Sequence, residues 1–545
     1  MTALARLLDG LGVALVAGIV VVLATGQLRL PGVTVTRAEN LLVALAFVVA
    51  VRAAFSAWTR SAAVRAPGSL ASRALDLLRS HPRRVVVAGA AVYAVVMSFI
   101  VLTRHRALET HAFDLGVYLH TIWNIATGNG AATTLTPPGS HPVLGTLHEW
   151  GEHFSPVLYL LVPLPLVWPG AGPLLLAQTL ILAAGSLAVF AFARRRLDDP
   201  TAAAMFAVLY LVNPSLHGIN VRDIHPQAFA IPLIMAAALA VDAGRYGWCA
   251  AALVLVLGCR EDAAIPVIGF GLWLMLARRR WAAGLAVAAV SLAVLALDVY
   301  VLMPHWSGGR YRHMLDRWVY LGTSLDQIAV SLVQPWRWWR AVVTPPKIVY
   351  VLAMLAPVGF LPLAAPAALA AALPGLAMNL LATDSVLFHY RSQYQAFVLP
   401  FVMLAAVEGY RWLTTFRWPE RVWRASPAVL ARIGMLASVV LTARTINDLT
   451  VTRVRLTPDH RAAYELMARI PPGATVSAYD RLVPHLATRP GVFLFPAGDL
   501  QRTLPNGVQG EYILERGQVA AQVPPDYVVA AREEPWVLWR RRNAQ

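Results

Sequence analysis

Long apolar runs are the feature that most constrains this chain. Of its 545 residues, 58% are hydrophobic and 14% are charged, whereas soluble domains carry about 25% charged residues. A helix needs about 20 apolar residues to span a bilayer, and many runs approach that length. We therefore predict a mainly α-helical, polytopic membrane protein. About thirteen helices are expected, over residues 7–25, 40–58, 85–103, 171–193, 200–213, 227–242, 247–259, 263–277, 281–302, 347–364, 366–382, 394–412 and 428–447.

The distribution of arginine predicts the orientation in the membrane. Segment 52–84 holds seven arginines, and further arginine groups follow apolar runs at 194–196, 278–280 and 411–424. These groups fall on one side if each run crosses once, and the positive-inside rule makes that side cytoplasmic. We expect a cytoplasmic N-terminus and an extracytoplasmic C-terminal domain.

The net charge of +17 raises the question of a nucleic-acid partner. The arginines, however, lie at the ends of apolar runs, where orientation and anionic lipid head groups account for them. We predict no nucleic-acid partner.

The predicted organisation has three parts. Residues 1–84 form a transmembrane hairpin and a basic cytoplasmic loop, and residues 85–450 form a transmembrane core with external loops at 104–170 and 303–346. Residues 451–545 are less apolar and predict a small extracytoplasmic α/β domain. Its expected elements are a helix near 459–469 and strands at 475–477, 492–495, 527–529 and 536–539. The short apolar run 156–168 has two internal prolines, Pro163 and Pro165, and predicts an external helix beside the membrane.

Clusters of polar residues interrupt the apolar runs, and all of them fall on the predicted outer side. Ionisable groups near lipid are costly and are usually functional when present. The clusters therefore indicate one polar site at the outer membrane surface. They are Asp114 and the segments 148–153, 222–225, 260–262 and 389–391.

The first external loop predicts an amphipathic helix that lies on the membrane. Apolar positions recur at helical spacing from Leu115 to Ala126, and Asp114, Thr121 and Asn124 line another stripe. A first-turn aspartate is also favoured by the helix dipole alone, so a purely structural role for Asp114 is the alternative.

The order of the motifs resembles a known superfamily. A helix is followed by Phe-Asp-Leu-Gly-Val-Tyr at 113–118, His-Phe-Ser-Pro-Val-Leu-Tyr at 153–159, Ala-Arg-Arg-Arg-Leu at 193–197 and Leu-Val-Asn-Pro-Ser at 211–215. Over about residues 85–410 the chain resembles the GT-C glycosyltransferases, especially the protein mannosyltransferase and aminoarabinose transferase branch. It resembles still more closely a family of predicted bacterial membrane proteins of unknown function near that superfamily. The resemblance implies a GT-C-like bundle in a bacterial plasma membrane.

The resemblance also implies a role for Asp114 as the catalytic base. The chain departs from the pattern at the second acidic position of the loop, which is Leu115, and at an Arg-Pro-Asp position, which reads His-Pro-Gln from His225. The second acid could pass to Asp223, Glu152 or Glu261. The predicted catalytic set is Asp114, Glu152, His153 and Asp223.

Arginine and histidine near the outer surface are candidates for binding a phosphate. The alternatives are internal ion pairs for the groups at 222–225 and 260–262, and interfacial anchoring for loop 303–346. The phosphate-binding candidates are Arg222, His225, Arg260, Arg310, Arg312, His389 and Arg391. Acceptor-binding or supporting candidates are Glu261, Asp262, Tyr118 and Gln393.

The segment His-Glu-Trp-Gly-Glu-His at 148–153 does not have the zinc-protease spacing, because its second histidine is one residue too far along. We assign no metal ligands and no cofactor, and a divalent metal remains an open alternative.

The resemblance implies an inverting membrane glycosyltransferase. Its donor would be a polyprenyl-phosphate sugar, and its acceptor a cell-envelope glycan, lipid or protein. Two alternatives stay open: a transporter or flippase of a lipid-linked glycan or other anion, and a non-catalytic assembly protein of the cell envelope. The one-sided polar groups favour an enzyme, because alternating access favours sites at the midplane.

Overall fold

The structure, a computed structural model, describes residues 2–25, 27–30, 33–35, 41, 44, 45, 48, 76–135, 147–307, 315–416, 427–451, 456–496 and 510–542. The predicted helix at 40–58 lies mostly outside the described residues, as do Arg310 and Arg312.

The described chain is mainly helical, as predicted. The helices of its first half are α1 (Thr2–Thr25), α2 (Pro82–Arg106), α3 (Val117–Ala126), α4 (Pro163–Val167), α5 (Gly172–Leu197), α6 (Pro200–Leu211), α7 (Pro214–Val221), α8 (Ala230–Asp242), α9 (Tyr246–Leu257) and α10 (Ala264–Leu276). Those of its second half are α11 (Trp281–Leu297), α12 (Met303–Ser307), α13 (Leu325–Leu332), α14 (Pro335–Val342), α15 (Pro345–Leu355), α16 (Pro366–Leu369), α17 (Leu373–Leu381), α18 (Leu399–Thr415), α19 (Pro427–Val451), α20 (Pro458–Ala468) and α21 (Val483–Leu486).

The apolar runs do not all form continuous spans. Among the described residues, three helices are long and apolar enough to cross a membrane: Pro82–Arg106, Gly172–Leu197 and Trp281–Ser307. Two bent pairs, α6 with α7 and Pro335–Val342 with Pro345–Val358, raise the number to five. The other runs form shorter apolar helices. Proline explains much of this division, because it begins helices readily and breaks their interiors.

The core of the bundle forms around α5, which contacts α2, α6 and α8. Its largest fully buried side chains include Phe192, Phe206 and Trp273. Helices α10 and α11 approach closely where Gly271 faces Gly284, and a Cβ on Gly271 would lie only 2.7 Å from the Gly284 carbonyl oxygen. Side chains larger than glycine would therefore separate this pair of helices.

Two of the predicted arginine groups meet in an ion-pair network at one end of the bundle. Arg196 contacts Glu408 through two hydrogen bonds of 2.7 and 3.0 Å. Arg278 lies 2.9 Å from Asp242 and 3.2 Å from Glu408. Along α5, Arg196 lies about 27 Å from Gln178, at 1.5 Å per residue. The basic end and the segment around Gln178 are thus separated by nearly the thickness of a bilayer.

The helix predicted in the first loop is present, and its polar residues are buried. A π-helical turn at Ala112–Gly116 leads into α3, in which both Thr121 and Asn124 are buried. One face of α3 packs on the bundle through Leu119 and Ile122. The other side meets the C-terminal domain. The amphipathic pattern could not reveal that a second side of α3 is buried, because the C-terminal domain that buries it is more than 300 residues away in the sequence.

The rest of the first loop consists of short elements. Strands β3 (Ala132–Thr133) and β4 (Leu147–His148) pair antiparallel, and 3₁₀ turns follow at Glu149–Gly151 and Pro156–Leu161. The predicted external helix at 156–168 is therefore divided into a 3₁₀ turn and α4, as its internal prolines require.

The C-terminal domain carries a five-stranded sheet, as expected from its composition. Its strands are β5 (Val476–Ala478), β6 (Val492–Leu494), β7 (Tyr512–Arg516), β8 (Tyr527–Glu533) and β9 (Trp536–Arg541), in the order β6-β5-β7-β9-β8. Strand β5 is parallel to β6 and β7, and the other pairs are antiparallel. The predicted helix and four strands are present. Strand β7 was missed because its apolar run is only three residues long. A small N-terminal hairpin contains the remaining strands, Leu28–Leu30 and Val33–Val35.

Candidate functional site

Asp114 and His225 form a contact between the first loop and the segment after α7. The Asp114 Oδ1 atom lies 3.1 Å from His225 Nε2, and the Asp114 side chain is 42% exposed while that of His225 is 2% exposed. Partial desolvation acts to raise the pKa of Asp114, but the charge of His225 and two further basic side chains lower it below the ordinary value. The site therefore favours an ionised Asp114 that is open to solvent on one side.

Both ring nitrogens of His225 face hydrogen-bond acceptors. Its Nδ1 lies 3.0 Å from the carbonyl oxygen of Arg222, and its Nε2 faces the Asp114 carboxyl. A carbonyl and a carboxylate only accept hydrogen bonds, whereas a neutral imidazole has a single N–H. Both contacts are satisfied when the ring is protonated or when Asp114 carries the proton. This arrangement suits proton transfer.

Gln178 on α5 holds the segment that carries His225. Its side-chain oxygen accepts the His225 backbone N–H at 2.9 Å, and its amide group donates to the Asp223 carbonyl at 2.9 Å. Asp223 has a φ of +24°, which is uncommon for a residue with a side chain. The two hydrogen bonds stabilise this strained backbone and fix the direction of both side chains.

Asp223 provides a second carboxyl group in the same place. Its Oδ2 accepts the backbone N–H of His111 at 2.8 Å, and the residue is 4% exposed. Burial, together with the negative charge of Asp114, raises the pKa of Asp223 to about 6. Two carboxyl groups whose environments move their pKa values in opposite directions are typical of acid–base sites.

We expect a carboxyl that titrates at about pH 6 and disappears in Asp223→Asn. Asp114→Asn should lower the pKa of Asp223, because it removes a neighbouring negative charge. Infrared difference titration of the carboxyl stretch would measure both effects, with Asp316→Asn, an exposed loop residue, as the control. A carboxyl band near pH 6 that survives in Asp223→Asn would contradict the assignment.

A second polar group lies between α9 and α10. His153 Nδ1 lies 3.0 Å from one oxygen of Glu261, and the backbone N–H of Phe154 donates to the other at 3.2 Å. Arg260 contacts Asp262 through both carboxylate oxygens, one of them 2.7 Å from Nε. The internal ion pairs considered for this segment are therefore present.

Two arginines flank the ring of Tyr394. The guanidinium carbon of Arg260 lies 5.6 Å from the ring centre and that of Arg317 lies 5.2 Å away. Arg317 also donates to the Tyr394 hydroxyl and lies 3.2 Å from Asp384. In the sequence Arg317 is one of several arginines in loop 303–346, and nothing local distinguishes it from the others.

These groups contribute to the lining of a cavity of about 390 Å³. The polar lining is His153, Arg260, Glu261, Asp262, Arg317 and Tyr394. The rest of the cavity is mostly apolar, including Ile265, Ile268, Leu295, Leu325, Leu332 and Met378. A cavity of this kind suits a molecule with an anionic head and a hydrocarbon tail.

Tyr118 lies between the two parts of the site. It is 4% exposed, and its pKa is raised well above the ordinary value, first by burial and then by the charge of Glu149. Arg260, Asp114 and Glu261 act on the same hydroxyl. The pair around Asp114 and the cavity around Arg260 therefore belong to one electrostatic environment.

Sequence reasoning considered Glu149 only for a metal motif, and it did not identify Asp298. Glu149 is 1% exposed, and one of its carboxyl oxygens lacks a hydrogen-bond partner within the described residues. Burial, with the nearby charges of Glu152 and Glu261, raises its pKa well above the ordinary value. Asp298 is buried in a second π-helical turn, Asp298–Leu302. Such turns are frequent at functional sites.

Three predicted residues belong neither to the lining of this cavity nor to the contacts around Asp114 and His225 described above. Arg391 packs on α7, where a Cβ on Gly218 would lie 2.4 Å from the Arg391 carbonyl oxygen. His389 stacks on Tyr390, with ring centres 5.2 Å apart. The side-chain oxygen of Gln393 is buried and lacks a hydrogen-bond partner in the described part of the chain. None of the three lines the cavity.

Glu152 follows the 3₁₀ turn at Glu149–Gly151 and is half-buried. Arg222 is exposed, and its charge acts on Asp114. Over the described ranges, no three His, Cys, Asp or Glu side chains are grouped so that they could hold a metal ion.

The fold and site define a polytopic, mainly helical membrane protein with a polar loop site and a small C-terminal sheet domain. Two crystal structures of ArnT from Cupriavidus metallidurans, one bound to undecaprenyl phosphate and one apo, share this fold with TM-scores of 0.50. Their sequence identities are 16% and 15%, and each match covers 83% of this chain and 97% of ArnT. The predicted mainly helical, polytopic fold with a small C-terminal sheet domain is confirmed, and ArnT shares it.

Residues 104–518 match the family described as predicted membrane protein DUF2079. The chain belongs to that family. A search of curated proteins finds no match to this sequence.

Proposed function

We propose that this protein transfers a sugar from a polyprenyl-phosphate donor to an acceptor at the outer face of the membrane. The observation that carries the proposal is a cavity whose lining combines Arg260 and Arg317, both against the ring of Tyr394, with many aliphatic side chains. The ArnT-like fold adds support, since one ArnT structure holds undecaprenyl phosphate.

The donor phosphate would bind between Arg260 and Arg317. Arginine suits this role because its planar guanidinium can donate two parallel hydrogen bonds to a phosphate. Both arginines are stacked on Tyr394 and held by acidic partners, so little side-chain entropy is lost on binding. The polyprenyl tail would lie among the apolar side chains of α10, α11, α13 and α17. Arg310 and Arg312, in the same external loop, remain candidates for further phosphate contacts.

Asp114 would act as the general base. It would accept the proton of an acceptor hydroxyl while the hydroxyl oxygen attacks the anomeric carbon from the face opposite the phosphate. The bond from that carbon to the phosphate oxygen would break with inversion, and the arginines would stabilise the charge on the departing polyprenyl phosphate. Asp223 is the best placed of the three candidates for the second acid, because it shares its backbone segment with His225 and contacts the loop of Asp114.

The proposed orientation places this site outside and the arginine network inside. The separation along α5 supports it, because Gln178 supports the site and Arg196 belongs to the network. The protein would then be a multi-pass protein of a bacterial plasma membrane with a cytoplasmic N-terminus and an extracytoplasmic C-terminal domain.

Transfer from a panel of radiolabelled polyprenyl-phosphate sugars would test the proposal. The full chain in lipid nanodiscs would be mixed with each donor and with glycan, lipid and protein fractions of a bacterial envelope. We expect release of polyprenyl phosphate and label in one fraction. No release from any donor, together with movement of an intact lipid-linked sugar across proteoliposomes, would favour a transporter instead.

A further inference from the structure

The C-terminal domain contacts the turn that carries Asp114. Asp480 Oδ2 lies 2.6 Å from His111 Nδ1, and its Oδ1 accepts the backbone N–H of Ala112 at 2.9 Å. Ala112 is the first residue of the π-helical turn, two residues before Asp114. A single carboxylate of the C-terminal domain therefore binds the start of the turn at two points.

The same short segment is also held by the bundle. The backbone N–H of His111 donates to Asp223. Residues 111 and 112 thus bind two carboxylates, one from the bundle and one from the C-terminal domain. The direction in which Asp114 leaves the turn depends on both.

The surrounding interface is built from apolar and polar contacts. Ala112 and Val117 share a hydrophobic cluster with Leu466 and Val483. The interface also contains polar contacts of 2.8 Å between His120 Nδ1 and the Ala487 carbonyl oxygen, 3.2 Å between Arg481 and Glu109, and 2.9 Å from the Tyr464 hydroxyl to the Arg106 carbonyl oxygen. The domain is thus held against the loop by more than one type of contact.

We infer that the C-terminal domain contributes to the catalytic site, because its residue Asp480 positions Asp114. The inference rests on the proposed role of Asp114 as base. Asp480 acts through the turn and through His111, and it does not itself contact the reacting atoms.

The charges around His111 make this role measurable. His111 faces Asp480 and Arg481 from the C-terminal domain, Asp223 from the segment after α7, and Asp114 from its own turn. The hydrogen bond to Asp480 raises the pKa of His111, and a protonated His111 helps to keep Asp114 ionised. Loss of Asp480 should therefore weaken the electrostatic support of Asp114 as well as its geometry.

Hydrogen exchange of the full chain in nanodiscs tests the contact without any substrate. In Asp480→Ala, exchange should rise in peptides that cover 109–118 and stay unchanged in those of the sheet. Asp526→Asn is the matched control, because Asp526 forms an exposed ion pair with Arg541 beside edge strand β8. Unchanged exchange at 109–118 would overturn the inference, and so would a rise throughout the sheet, which would assign Asp480 to domain stability.

Kinetics test the effect on catalysis. With a donor that the wild type uses, Asp480→Ala should lower kcat by up to about 100-fold with the donor KM nearly unchanged, since a misplacement of about 1 Å can cost that much. Asp480→Asn keeps an oxygen for the Ala112 N–H and should lose less. In both variants His111 loses its proton more easily and supports the Asp114 carboxylate less, so the pKa of Asp114 should rise and the acid limb of kcat should move to higher pH. Wild-type kcat and pH profile in Asp480→Ala would overturn the inference while leaving the proposed function intact. Absence of transfer by the wild type would instead refute the proposed function. The hydrogen-exchange result would still show whether Asp480 holds the segment 109–118.

Discussion

Asp114→Asn is expected to lower kcat about 10³-fold, within the range that general base catalysis usually contributes. The amide cannot accept the proton of the attacking hydroxyl. Its oxygen can still accept a hydrogen bond from His225, whose Nε2 lies 3.1 Å from the present carboxylate. The turn should therefore keep its conformation, and the loss should be chemical.

The measurement is the single-turnover rate of transfer from a donor that the wild type uses. Binding of that donor should remain within about twofold of wild type, because the cavity between Arg260 and Arg317 is untouched. Asp316→Asn, an exposed aspartate in loop 303–346, is the matched control and should keep full activity. A rate in Asp114→Asn close to that of wild type would remove Asp114 from its role while leaving the enzyme in place.

The sequence could predict that Asp114 and His225 share one side of the membrane, although they are 111 positions apart. This prediction rests on the positions of the arginine groups. The arginines orient the helices in the membrane, and the polar clusters then fall at the helix ends opposite to the arginines. The ion-pair network of Arg196, Arg278 and Glu408 agrees with this reasoning, since it joins two arginine groups that were predicted to lie together.

Sidedness predicts which end of the bundle a residue lies at. It does not predict how far apart two residues at that end lie. His389 and Arg391 have the same local pattern as Arg260, yet they do not line the cavity, while Arg317 does. Which arginine reaches the cavity depends on how loop 303–346 packs against α17 and the segment of Tyr394. That packing involves residues about 60 to 80 positions apart, as in the contact of Trp318 with Met378.

Asp480 illustrates a contact that local pattern cannot reveal. It lies 369 positions from His111, in a domain whose docking surface has no motif. The sequence predicted a separate external α/β domain, because composition changes after residue 450. The contact with the turn of Asp114 follows only from the folded arrangement, in which α3 is covered on two sides.

Arg317→Gln is expected to weaken binding of polyprenyl phosphate about 100-fold. A hydrogen bond to a charged group contributes up to about 3 kcal/mol, and each 1.4 kcal/mol corresponds to a factor of about ten in affinity. Arg317 contacts Asp384 and Tyr394, and loss of its charge leaves Arg260 as the one other arginine among the described residues that lines the cavity. Arg317→Lys should have a smaller effect, because lysine keeps the charge but loses the planar, stacked geometry.

Binding would be measured as the Kd of polyprenyl phosphate for the protein in nanodiscs of neutral lipid. Arg340→Gln is the matched control: Arg340 stacks on the exposed Trp339 of α14, 5.3 Å from its ring centre, and does not line the cavity. Wild-type affinity in Arg317→Gln would contradict the phosphate site, and so would equal losses in Arg317→Gln and Arg340→Gln. The second result would mean that the lipid responds to the total positive charge at the membrane surface. A loss confined to Arg317→Gln, with only part of it in Arg317→Lys, requires a phosphate held by the guanidinium itself, since only then does geometry matter in addition to charge.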